Sequence, residues 1–378
     1  MACGHTWPQA MGPAQYVEIG VGLAILLLTF NDLFQAVVLP RPTIYRVPLA
    51  SQLLVRQLWR MWRWVGNRRR RPERRESFLG TFGPAALLTL LAFWALSLVL
   101  GYGLVFDGLR AELTPPSPGF WTSFYFSAGT LLPLSYGDIV PDGALARVVT
   151  VAESATGVIL VALVISLLFS LYQSFQAREE LVVTLDALAG APPSGIQILE
   201  TAAIDRMPQR LEETFNEWRR WSAGVLESHL AYPILFYFRS SHDNEAWLNS
   251  FGAVMDAATL VLSLVDHDSF GAARLMSKVG NHLVEDVVWN FRIKSSGDVG
   301  VERHEFDDAR DRLQAAGYRC RDTDLAWKDF SDLRARYASP LNQLAHRFVI
   351  VPARWIGDRS YLPHRSPSQP GGRIGRLR

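Results

Sequence analysis

The sequence predicts an all-α membrane protein: three transmembrane helices and a re-entrant loop, followed by a helical cytosolic domain. Three observations carry this. Apolar runs at 17–39, 82–106 and 148–172 each reach the length of about 20 residues that a bilayer crossing requires. Between the second and third run, a short hydrophilic gap holds an aromatic half-helix and an irregular stretch, TLLPLSYGDIVP at 130–141. From 196 to about 350, apolar residues recur three and four apart, as in Leu211, Phe215 and Trp218 and in Phe330, Leu333 and Tyr337, with Leu325 five residues before, which is the helical period.

The 378 residues leave room for a membrane domain and one further domain. The formal net charge of +2 says little, because charge is segregated along the chain. Cys3 and Cys320 fall on opposite sides of the expected membrane and imply no disulfide framework.

The first sixteen residues contain no Lys, Arg, Asp or Glu, and the first span follows. It lacks the basic start and short apolar core of a cleaved signal peptide. Asp32 sits toward its end beside Asn31. Two readings of Asp32 stand side by side: a functional intramembrane acid, or a side chain about two turns from Pro40 that reaches the interface.

Residues 41–75 carry eleven arginines against one acid, Glu73, so this linker is expected in the cytoplasm. Within it Leu53, Leu54, Leu58, Met61, Trp62 and Val65 recur at helical spacing, with Arg56, Arg60, Arg63, Trp59 and Trp64 on the flanks. That pattern fits a helix lying in the inner interface on anionic lipid. The RRRR cluster at 68–71 is read as a topology signal rather than a nucleic-acid site. The second span is uncharged and exits into a loop with Asp107, Glu112, Asp138 and Asp142 against Arg110, an acidic loop expected outside. The third span returns inward. The topology is therefore a multi-pass cell-membrane protein with its N-terminus outside and its C-terminal domain in the cytoplasm.

Past the membrane, a polar helix over 176–188 is expected to stop at Gly190, with 191–195 (APPSG) as a hinge. The run 247–265 is apolar enough to tempt a fourth span, but it contains Asp256 and is read as a buried helix. The segments are then an N-terminal transmembrane helix (1–40), a basic linker with its interfacial helix (41–81), a pore module (82–175), a connecting helix and hinge (176–195), a helical cytosolic domain (196–351) and a disordered basic tail (352–378).

In the gap before 130–141, Ser117 can cap and Pro118 can open a helix through Phe120, Trp121, Phe124, Tyr125 and Phe126 to near Thr130. A half-helix that enters the membrane and returns as extended chain is tolerated only where the loop lines an aqueous path or is buried in protein. The stretch reads as a re-entrant pore loop.

At these residues the chain resembles the potassium-channel family, in which a pore helix leads to a T-V-G-Y-G-D filter and then to an inner helix with a glycine hinge. Tyr136, Gly137 and Asp138 match the second half of that filter, while Pro133, Leu134 and Ser135 stand where Thr, Val and the first Gly are expected. Without gaps, Arg147 falls on the arginine before the inner helix and Gly157 on the hinge. The resemblance covers 82–172 and implies a homotetramer, with potassium or sodium as the permeant ion and no cofactor. It also implies a cavity lined by Val158, Val161, Ile165 and Phe169, with Phe169 as the inner gate. Glycines serve such filters because alternating backbone handedness aims successive carbonyls at the axis. Ser135 and Pro133 depart from that pattern, and a non-conducting channel-like sensor or scaffold is the alternative. Glu153, one turn before Gly157, is expected to face the protein interior and hydrogen-bond backbone behind the filter.

An enzyme in the cytosolic part is not expected. His242, Asp243 and Glu245, the run Asp266, His267 and Asp268, and His304 with Glu305 have no recognised metal-ligand spacing. Dinucleotide and phosphate-loop fingerprints are absent from the sequence.

Overall fold

The structure is a computed structural model that describes residues 12–39, 50–69, 71–134, 136–204, 208–240, 246–266, 270–293, 297–351 and Trp355. The expectations for Ser135, for His242, Asp243, Glu245, His267 and Asp268, and for the tail lie outside these residues, Trp355 apart. The fold is all-α, with one pair of two-residue strands among the described residues. Three helices are long and apolar enough to cross a membrane. Contacts divide the chain into two compact units, Met1–Tyr172 and Gln173–Arg378.

In the first unit, α1 (Pro13–Leu33) continues as a π-helical turn (Phe34–Val38) and packs along α4 (Phe82–Gly108). The two backbones meet at small residues: a Cβ on Gly22 would lie 2.6 Å from the Gly101 carbonyl oxygen. Such close crossings suit helices in lipid, where dispersion contact rather than water exclusion drives association. One end of the pair is tied by Arg110, whose Nη2 donates to Glu18 Oε2 at 2.6 Å.

The other end is tied by Asp32. It is 3% exposed and accepts from Trp94 Nε1 of α4 at 2.8 Å and from Ser51 Oγ at 2.9 Å. The Ser51 amide, in the first turn of α2 (Ala50–Asn67), also points at this carboxylate at 3.3 Å. A carboxylate against a helix N-terminus is electrostatically favourable. Asp32 therefore does not reach the interface as a solvated group; it is a buried tie among α1, α2 and α4.

The register of α2 differs in one respect from the expected stripe. Trp59, placed on a flank by spacing, is buried with its ring 4.8 Å from Phe82, while Leu53 and Met61 of the stripe are exposed. The cause is α3 (Pro72–Gly80), which turns the chain back so that Phe78 and Phe82 meet the tryptophan side of α2. Trp62 stacks on Phe78 at 4.9 Å and its Nε1 donates to the Phe78 carbonyl.

The last span and its polar extension form one helix, α6 (Ala144–Ala189). In the second unit α7 (Gly195–Ile204), α8 (Pro208–Ala231), α10 (Gly271–Phe291), α12 (Thr323–Arg334) and α13 (Ala338–Phe348) all contact α9 (Trp247–Ser263), and α11 (Arg303–Ala315) packs on α7 and α12. The helix α9 is buried nearly all round. Its one acid, Asp256, is paired with Arg334 Nε at 2.9 Å and accepts the Tyr337 hydroxyl at 2.6 Å. That explains how the apolar run 247–265 carries a carboxylate at its middle. The expected hinge at 191–195 is instead a tight corner: Pro193, Ser194 and Gly195 are buried, and a Cβ on Gly195 would meet the Ala253 carbonyl oxygen at 2.7 Å.

A second buried charge organises the start of this unit. Arg178 is fully enclosed and donates to the carbonyls of Leu235 and Phe238 at 3.1 and 2.8 Å, to Glu179 and to His229 Nε2 at 3.2 Å. His229 is buried, and burial first, then the Arg178 charge, holds its pKa well below the ordinary histidine value. The sign follows from linkage. With a depressed folded-state pKa, the contribution of neutral His229 is complete above the unfolded value of about 6.5 and declines as pH falls below it. The full-length protein in detergent should therefore melt at lower temperature at pH 5 than at pH 7.5. His229→Gln, which keeps an acceptor but cannot titrate, should flatten that dependence even if it melts lower overall. An unaltered pH slope in the variant would assign the effect elsewhere.

Candidate functional site

The site is built by α4, α5 (Phe120–Leu131) and the first half of α6. Gly119 is the N-cap of α5, so the helix starts two residues later than a Ser117 cap would place it. Ser117 still serves this end: its hydroxyl lies 2.9 Å from that of Ser123, which donates to Asp107 Oδ1 at 3.3 Å. Phe126 packs edge-on against Phe106 of α4 at 4.8 Å.

At the C-terminal end of α5 the carbonyls of Ala128, Gly129 and Thr130 find donors beyond the helix. The Leu132 and Leu134 amides donate to Ala128 and Gly129, and Ser154 of α6 reaches the Thr130 carbonyl. Gly157 receives the next one: a Cβ there would lie 1.9 Å from the Leu131 oxygen, so only glycine admits this approach. The helix α6 runs unbroken through Gly157. The residue expected as a hinge thus has a separate packing reason to be glycine.

Beyond the turn at Leu132 and Pro133, the chain runs back along α5. Leu134 is exposed, Tyr136 stacks on Tyr125 with ring centroids 6.4 Å apart and planes 6° apart, and Gly137 has φ +76, the left-handed region. A cleft of about 260 Å³ lies between the loop and α5, lined by Tyr125, Thr130, Tyr136, Asp138, Thr150 and Ser154 among others.

The return is closed by a strand pair that the sequence pattern did not reveal: β1 (Leu113–Thr114) antiparallel to β2 (Val140–Pro141). Two residues per strand leave no alternation to detect. Glu112, just before β1, takes the Asp142 and Gly143 amides on its carbonyl, and its carboxylate caps α6 through the Ala146 amide at 2.9 Å. Arg147 donates to the Pro141 carbonyl and pairs with Asp142.

Glu153 is fully buried, as expected, but its partner is not backbone. Ser127 Oγ of α5 contacts Glu153 Oε1 at 2.5 Å and lies 3.0 Å from the Val99 carbonyl of α4. One hydroxyl therefore joins three helices behind the loop. Ser127 was not singled out from sequence, because a serine in an aromatic helix has no distinguishing spacing. On α6, Val158, Val161, Ile165 and Phe169 share one side and are 50–74% exposed in the single chain. Elsewhere His304 is exposed beside Glu302, and no group of three metal-ligating residues forms among the described residues.

A short helix, an irregular return with a left-handed glycine, and a long apolar helix behind them lie in a chain with three helices long and apolar enough to cross a membrane. Residues 89–174 match a family model described as "Ion channel", which supports an ion-channel role and points away from catalysis. A Bacillus subtilis (strain 168) protein described as an uncharacterized membrane protein is 22% identical over 203 residues, or 53% of this chain and 58% of the relative. The chain thus spans less than two thirds of that relative's length. No solved structure gives a significant match.

The Gly157 contact makes a direct prediction. Gly157→Ala should force α5 and α6 apart at a cost of about 1 to 3 kcal/mol, the usual range for overpacking. It should appear as a lowered melting temperature of the full-length protein in detergent. A wild-type melting curve would show that the Leu131 carbonyl is not seated there.

Proposed function

We propose that the chain is one subunit of a homotetrameric cation channel of the potassium-channel type, with a filter formed by Pro133, Leu134, Ser135, Tyr136, Gly137 and Asp138. The observation that carries this reading is the left-handed Gly137 in the irregular chain that follows α5. A left-handed glycine lets the chain aim a carbonyl where an ordinary residue would not, and rings of such carbonyls can replace the water of a dehydrated cation. One such loop per chain calls for four chains around an axis. The exposed apolar face of Val158, Val161, Ile165 and Phe169 supports the same assembly, since copies packed around that axis would line a cavity with it. In this assembly Phe169 is the inner gate. The arginine bias of 41–75 against the acidic loop at Asp107, Glu112, Asp138 and Asp142 supports an outside N-terminus and a cytoplasmic C-terminal unit in this reading. The permeant ion is potassium or sodium, and no cofactor is invoked.

The competing reading is a non-conducting sensor or scaffold of the same shape. It is favoured by Pro133, which removes the hydroxyl ring that Thr would supply at the inner end of a filter.

Recordings from the purified protein in planar bilayers separate the two. The channel reading expects monovalent cation current with weak discrimination between potassium and sodium. It also expects a shift of the reversal potential toward potassium in Ser135→Gly, because a left-handed conformation costs a non-glycine residue about 1 to 2 kcal/mol. A strongly selective wild type that Ser135→Gly leaves unchanged would defeat the filter assignment. Absence of any current from assembled protein would favour the scaffold.

The gate has its own test. Four phenyl rings would form an apolar neck that dewets and blocks hydrated ions without closing sterically. Phe169→Ala should raise resting conductance, and Phe169→Asp should raise it further. If both variants assemble and keep wild-type closed-state current, Phe169 is not the barrier.

A further inference from the structure

We infer that the outward side of α2 is a binding surface for the headgroups of anionic phospholipids in the bilayer that α1 and α4 cross. The inference rests on the membrane reading of those helices, not on conduction.

The starting point is what holds α2. Its first turn is tied to α1 through Ser51 and Asp32, and its second half is tied to the start of α4 through Trp59 on Phe82. Asp32 lies within about two turns of the end of the first span, which runs on to Val38, and Phe82 is the first residue of α4. The helix α2 is therefore fixed near the ends of both spans, close to the level of the lipid headgroups.

Its inward side is spent on these contacts, and its outward side is not. Arg56, Arg60 and Arg63 lie along one edge, all exposed, and beside them Leu53, Met61 and Trp64 are 44–56% exposed. The helix contains no acidic residue, and among the described residues none of the three arginines has an acidic partner. Arg60 makes only a side-chain bond to Gln57 within the same helix. Arg68, one turn on, lies over the Trp64 ring at 3.5 Å and adds to the same side.

Cations beside large apolar groups are a poor surface for water, which solvates the first and not the second. The headgroup layer satisfies both: phosphates meet the guanidinium groups while Trp, Leu and Met settle at the acyl boundary. Charge complementarity selects anionic over zwitterionic lipid. A nucleic acid would use the arginines and Trp64 but would leave Leu53 and Met61 bare, and it has no reason to be met at the ends of two spans.

The test uses full-length protein in detergent and native mass spectrometry, with phosphatidylglycerol and phosphatidylcholine of the same acyl chains as probes. Wild type should retain phosphatidylglycerol in preference. The triple variant Arg56→Gln, Arg60→Gln, Arg63→Gln should bind it about 100-fold more weakly, from the usual contribution of a basic residue near an anionic surface. The corresponding triple lysine variant should keep most of the preference, because a point charge suffices. In wild type, raising the salt concentration should release phosphatidylglycerol, a readout that needs no variant. Equal retention of both lipids, retention insensitive to salt, or preference for a single-stranded oligonucleotide over phosphatidylglycerol would each overturn the inference. A protein that conducts no ions but shows the lipid preference would leave it standing and count only against the channel.

Discussion

Backbone amides and carbonyls cannot be left bare in hydrocarbon, where each costs several kcal/mol. The stretch from the end of α5 to β2 is irregular chain placed between two spans, so the surrounding structure must satisfy it or wall it off. Much of the first unit does this. The carbonyls of Ala128 and Gly129 are taken by the turn that follows and that of Thr130 by Ser154, and Gly157 leaves room for the Leu131 oxygen. The β1–β2 pair closes the loop, and Glu112 both accepts amides from the returning chain and caps the helix that carries it away.

A related constraint governs charge. Buried ions are costly unless paired or hydrogen-bonded, and Asp32, Asp256 and Arg178 are so held. Asp32 has an indole and a helix N-terminus, Asp256 has Arg334 and Tyr337, and Arg178 has two carbonyls and a carboxylate. Each ties elements that are distant in the chain, so these residues define tertiary position as well as charge balance. Glu153 and Ser127 do the same behind the loop, joining α4, α5 and α6 at one hydroxyl.

The arginine-rich linker shows the complementary case. Among the described residues its arginines are not buried, and its helix is held through aromatic and carboxylate contacts on the opposite side. The side left over is the side with the arginines. A charge excess that reads from sequence as a topology signal thereby becomes, in the fold, a surface with a defined direction.

What the sequence by itself determined was the fold class, the three spans, the half-helix and its return, and the helical character of the remainder. Those follow from apolar length and period, which are local properties of the chain. It also located Asp32 and Glu153 as acids within spans. Only the tertiary structure decided what they touch, because Ser51, Trp94 and Ser127 lie far from them in sequence and have no distinctive spacing. The same holds for the inward turn of Trp59, set by Phe82 across a chain reversal, and for the buried corner at Gly195, set by the carbonyl of Ala253. Period tells which face of a helix is apolar, but which face is covered depends on where the next element returns.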